Sequence, residues 1–137
     1  MFLKQRMMSS ITRHNDYNEG YSALKQLIES RATFLGLFFG TETPSGESWC
    51  PDCVLACPPA RGACRRLLPE VPLHEFAVGD RNEWKRPSKP HPFREDKTIG
   101  IERIPTLIRW VDGKMVGKLV EGECLDKDKL EKLLSKH

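Results

Sequence analysis

From residue 15 to 31 the apolar positions Tyr17, Tyr21, Leu24, Leu27 and Ile28 recur at spacings of three and four, with Asn15 or Asp16 placed to cap. This pattern predicts an amphipathic helix. Residues 33–40 (TFLGLFFG) are a continuous apolar run of strand length, which needs cover on both faces and so belongs in the middle of a sheet. Residues 41–48 (TETPSGES) read as a loop, and Val54, Leu55 and Ala56 beyond it suit a helix that carries a cluster of cysteines. Pro58-Pro59 is expected to kink or end that helix, because proline lacks the amide donor and clashes with the preceding turn. A second piece, 60–68, can continue it.

Residues 73–78 (LHEFAV) predict a second strand. The polar stretch 79–92 reads as loop, with a short helix near 93–98. Pro105 precedes a strand at 106–111 (TLIRWV), Asp112-Gly113 supplies a hairpin turn, and 115–120 returns. Asp126 can cap a last helix with Leu130, Leu133 and Leu134 on one side and lysines on the other. This order predicts an α/β protein, a central mixed β-sheet flanked by helices on both faces, in one domain over 15–137. Residues 1–14 read as a flexible N-terminal tail.

The 137 residues, 39% hydrophobic and 30% charged, fit a soluble chain with one ordinary core, and no apolar run approaches the roughly 20 residues that span a bilayer. Twenty-two basic and 19 acidic residues leave a net charge of +3, too small an excess to point to nucleic acid. The first fourteen residues carry Lys4, Arg6 and Arg13 and no acid, yet lack the apolar core of an export signal. Such a start also fits a mitochondrial transit segment, but a frayed tail and a cytoplasmic, monomeric protein are the expectation.

Five cysteines change the picture. Four of them (Cys50, Cys53, Cys57, Cys64) fall within fifteen residues, unlike the dispersed cysteines of a secreted disulfide framework, which points to a reducing compartment and to redox catalysis or metal binding. If Cys50 sits where the loop enters the helix, free backbone amides and the positive helix end favour its thiolate. Cys50 is then an exposed, low-pKa nucleophile and Cys53, one turn on, the buried resolving thiol. Pro51 is tolerated in the first turn and stiffens it. Asp52 suits a helix start but opposes a thiolate beside it, so it is expected to tune potential and exclude acidic disulfides. For a metal, Cys50 and Cys64 would lie roughly 20 Å apart on a straight helix, too far to share one zinc ion. Only a sharp reversal at Pro58-Pro59 could rescue a metal site, so none is expected.

The segment Ser48-Trp49-Cys50-Pro51-Asp52-Cys53-Val54 resembles the W-C-P-D-C-V active site of the thioredoxin domain-containing protein seventeen family, the fourteen-kilodalton thioredoxin-related proteins. Val78-Gly79 with Trp84-Lys85, Pro87 and Phe93-Arg94, then Pro105-Thr106-Leu107, then Leu119-Val120-Glu121 with Glu123-Cys124-Leu125, extend the resemblance over most of 33–134. The resemblance implies a thioredoxin fold, with Ile104-Pro105 as a cis peptide facing the dithiol. It also implies a disulfide reductase with a redox-active Cys50-Cys53 disulfide and no bound cofactor, acting on small or protein disulfides. Recharging would come from NADPH through thioredoxin reductase. Two departures stand out. No acid occurs in 33–40, so the buried carboxylate of ordinary thioredoxins is missing there, and Cys57 stands where the family is expected to carry another residue.

Trp49, directly before a helix-opening cysteine, is expected to shape the substrate surface, and with Pro51, Asp52, Ile104 and Pro105 it completes the expected substrate site. Trp84 is balanced between packing and function. Trp110, alternating with apolar neighbours, and Cys124 read as core. His14, His74, His91 and His137 are dispersed, which disfavours a cysteine hydrolase. A non-enzymatic adaptor on the same fold stays open, although it would have no physical need for both sulfurs.

Overall fold

The computed structural model of the protein describes residues 10–136. Its centre is a five-stranded sheet in the order β1-β3-β2-β4-β5, built from β1 (Ile11–His14), β2 (Phe34–Phe39), β3 (Leu73–Ala77), β4 (Thr106–Val111) and β5 (Lys114–Val120). Strands β1, β3 and β2 run parallel, whereas β4 is antiparallel to β2 and β5 to β4, so the sheet is mixed. All six residues of β2 are buried. Its continuous apolar run is what a central strand covered on both faces requires.

Alternation along β2 sorts the core into two layers. Phe34 and Phe38 stack with Trp110 and Phe76 at ring-centroid distances of 4.6 and 4.9 Å, forming an aromatic layer with Phe93. Helix α1 (Tyr17–Glu29), capped by the Asp16 carboxylate, packs on this side, as does the short α4 (Pro92–Glu95). The opposite face of β2 is covered by α2 (Pro51–Leu67), and α5 (Lys127–Leu133) packs against α2 and β5. Between β5 and α5 lies the 3-10 turn Glu121–Leu125, which seats Cys124 in the core.

Three segments differ from the sequence expectation. Residues 11–14, expected as part of a flexible tail, form edge strand β1, paired with β3 and held by Arg13, whose guanidinium reaches Glu75 at 2.6 Å. Residues 1–9 lie outside the described residues. Pro58 and Pro59 do not end the cysteine-bearing helix: α2 runs through both to Leu67. The stretch 79–92 is not all loop, because Asp80 and Glu83 form a reciprocal capping box that starts α3 (Arg81–Lys85). Asp112-Gly113 turns the β4-β5 hairpin, both residues at positive φ.

Candidate active site

The dithiol is set by what lies between β2 and α2. Gly40 follows β2, and a Cβ there would come within 2.7 Å of the Trp49 ring and 2.9 Å of Ser48 Oγ, so only glycine lets the loop fold back this closely. Ser48 Oγ donates to the Gly40 carbonyl (2.6 Å) and accepts from the Cys50 amide (3.1 Å). The Trp49 indole N–H donates to the Gly79 carbonyl (2.9 Å), which ties the loop to the end of β3. Cys50 is thereby fixed as the N-cap of α2.

At that position the Cys50 sulfur accepts from the Cys53 amide at 3.3 Å and donates to the Ile104 carbonyl at 3.9 Å. Ile104-Pro105 is a cis peptide opposite the helix start. The Cys50 thiol is pushed up, first by its hydrogen bond with the Cys53 thiol and then by burial, while the Cys53 amide pulls it down and Asp52 adds a smaller rise. The Cys53 hydrogen bond with Cys50 pulls the Cys53 thiol down, but its hydrogen bond with the Cys57 thiol and its burial prevail and place it at about 12. The expectation of an exposed, low-pKa Cys50 is therefore corrected: the residue is only 6% exposed, against 1% for Cys53. Two adjacent sulfurs share the first ionisation, so the proton belongs to the pair.

A cleft of about 470 Å³ opens beside Cys50. Of the expected site residues, Trp49, Pro51, Asp52 and Ile104 line it with Cys50, while Pro105 and Cys53 do not. Trp84 lines it too, although buried, with the Arg94 guanidinium 3.9 Å from its ring centroid. The cleft also takes in Arg81 and Lys85 from α3, and Glu102, Arg103 and Glu121, which sequence reasoning missed. The capping box at Asp80 was the available signal for the first two. Cys53 opens instead onto a smaller cavity of about 220 Å³, shared with Cys57, Glu42, Glu47 and Arg61. A groove of about 610 Å³ between β5 and α5 contains none of the cysteines.

Glu75 is a buried carboxylate that lies on β3 rather than in residues 33–40. Arg61 and Arg13 both bind it, so two guanidinium groups hold it in place. Of the histidines, His14 and His74 pair with each other, His91 binds the Val78 carbonyl, and none of these three lines the Cys50 cleft. His137 lies outside the described residues. Among the described residues no group of three or more metal-ligating side chains could hold a metal ion, and no helix is long and apolar enough to cross a membrane.

Residues 13–136 match the family described as thioredoxin domain-containing protein 17-like, thioredoxin domain. The chain belongs to this family. It is 37% identical over 112 residues to thioredoxin domain-containing protein 17 of Epinephelus coioides, covering 80% of this chain and 85% of that one. With the Homo sapiens protein of the same name it shares 32% over 118 residues, covering 85% and 90%. Among solved structures it is similar to oxidised thioredoxin O2 of Arabidopsis thaliana, at a TM-score of 0.62 and 17% identity over 96% of this chain and 100% of that chain. That likeness establishes the thioredoxin fold, and the family supports a redox role on it.

Proposed function

We propose that the protein is a thiol-disulfide oxidoreductase that reduces small or protein disulfides with the Cys50-Cys53 dithiol. The observation that carries this reading is the Cys50 sulfur at the start of α2, accepting the Cys53 amide at 3.3 Å and opening onto the cleft. In the first step the Cys50 thiolate attacks one sulfur of the substrate disulfide. A mixed disulfide forms and the other substrate sulfur leaves as a thiolate that takes up a proton. Cys53 then gives up its proton and attacks the Cys50 sulfur, expelling the second substrate thiol and leaving a Cys50-Cys53 disulfide. Two electrons return the dithiol, supplied in this reading by NADPH through thioredoxin reductase.

Trp49 and Ile104 present the apolar wall of the cleft, and in this reading the Ile104 carbonyl, 3.9 Å from the Cys50 sulfur, accepts a hydrogen bond from the substrate backbone. The protein acts as a monomer in a reducing, cytoplasmic setting in this reading. The test is NADPH consumption with thioredoxin reductase and small disulfides, wild type against Cys50→Ser. Turnover by the wild type that falls to background in Cys50→Ser is expected. Equal rates in both, or none in the wild type, would refute the reductase and favour an adaptor that binds partners through the same cleft.

A further inference from the structure

The reductase reading uses two thiols, but the centre contains three. Cys57 lies one turn beyond Cys53 on the same face of α2 and is 6% exposed, as accessible as Cys50. Cys53 and Cys57 share the 220 Å³ cavity, whose lining includes neither Cys50 nor any other residue of the Cys50 cleft. Pro58 follows directly and has no amide to donate back to the Val54 carbonyl, which loosens the helical ladder at this turn.

Helix geometry limits what Cys57 can do to Cys53. Residues four apart on a helix have Cβ atoms about 6 Å apart, whereas a disulfide needs roughly 3.5 to 4.5 Å. A Cys53-Cys57 disulfide would force the backbone to move. The same separation suits an S–H contact between the two thiols. Of the carboxylates on this side, Glu75 is held by Arg13 and Arg61 and Glu42 by Arg13, while Glu47 also lines the cavity.

We propose that Cys57 is a positioning residue for the resolving thiol: its side chain engages Cys53 in the dithiol and mixed-disulfide states and is released when Cys53 bonds to Cys50. The inference rests on the reductase reading above. Cys57 is neither oxidised nor reduced in it. The mixed disulfide Cys50-S-S-R plus the Cys53 thiol gives the Cys50-Cys53 disulfide plus RSH, and the Cys53 proton leaves with RSH. A contact present only while Cys53 carries its proton stabilises the reduced protein, which makes the couple more oxidising. It also slows resolution, in line with the raised Cys53 thiol, whose rise Cys57 contributes to.

The test compares wild type, Cys57→Ala and Cys57→Ser in two measurements. Equilibration with a glutathione redox buffer gives the equilibrium constant of the Cys50-Cys53 couple, and single turnover of an aromatic disulfide gives the pH profile of the resolving step. Cys57→Ala should be at least threefold more reducing and should resolve at lower pH, with Cys57→Ser, whose hydroxyl can still engage Cys53, close to wild type. An unchanged couple and pH profile in Cys57→Ala would overturn the proposal, as would a serine variant that behaves like the alanine one. Wild type that fails to turn over the disulfide at all would sink the reductase reading itself, whereas turnover with unaltered variants sinks only the role of Cys57.

Discussion

Asp52 puts a carboxylate between the two sulfurs, where its charge raises the Cys50 thiol, although less than the hydrogen bond with Cys53 and the burial do. The helix end acts in the opposite direction, with an effect of typically about 0.3 to 1 kcal/mol for an exposed charge. Effects of this size are comparable, so Asp52→Asn is expected to lower the thiol pKa and speed attack on oxidised glutathione more than on a neutral disulfide. Thiol titration by absorbance at 240 nm and the ratio of the two rates read this out. An unaltered pKa and ratio would reduce Asp52 to a helix-start residue. Burial adds a second expectation. Both sulfurs are raised, so alkylation by iodoacetamide should be slow near neutral pH and accelerate above it, with Cys50 labelled before Cys53 because only Cys50 faces the wider cleft. Peptide mapping of singly alkylated protein decides the order.

At the scale of elements, the close passage of the loop over Gly40 orders the site. Gly40→Ala drives a Cβ against Trp49 and Ser48, so the Ser48 bond to the Cys50 amide and the Trp49 wall must shift. A loss of roughly tenfold in kcat/KM is expected from such a displacement. Gly62→Ala is the contrast: it sits inside α2 with open space around its Cβ, and should raise stability by about 0.5 to 1 kcal/mol in urea unfolding without altering activity. What sequence could and could not reveal divides along the same elements. Strand β2 and the hairpin announced themselves through apolar runs and an Asp-Gly turn. Strand β1 did not, because ITRH is short and polar and its place is set by distant partners: backbone pairing with β3 and the Arg13 bond to Glu75. The continuation of α2 through Pro58-Pro59 was also hidden, since packing against β2 and the 3-10 turn outweighs the two lost amide donors. The dithiol itself was legible from its spacing, but its burial was not, because Ile104 approaches from more than fifty residues away.

Across the whole molecule, the parallel β1-β3-β2 half carries a half-buried titratable pair that the redox centre does not use. His14 and His74 stack with ring centroids 5.3 Å apart, and His14 Nε2 lies 3.0 Å from His74 Nδ1, a contact that requires at least one neutral ring. Burial lowers both, and proximity to His14 helps place His74 at about 4. Phe34 and Phe76 flank the pair and offer no acid to hold a second charge. The unfolded chain has ordinary histidines near 6.5, so between about pH 6.5 and 4 it binds more protons than the folded one. Stability from this pair is therefore complete above pH 6.5 and is lost as the pH falls toward 4. Both rings are partly accessible, which moderates the effect, and a fall of roughly 5 °C in melting temperature from pH 7 to pH 5 is expected. The variant His74→Phe, which keeps a ring beside Phe34 and Phe76 and cannot be protonated, should flatten that slope in scanning calorimetry. If it melted with the same pH dependence as the wild type, the acid sensitivity would belong to carboxylates elsewhere, and the pair joining β1 to β3 would be packing alone.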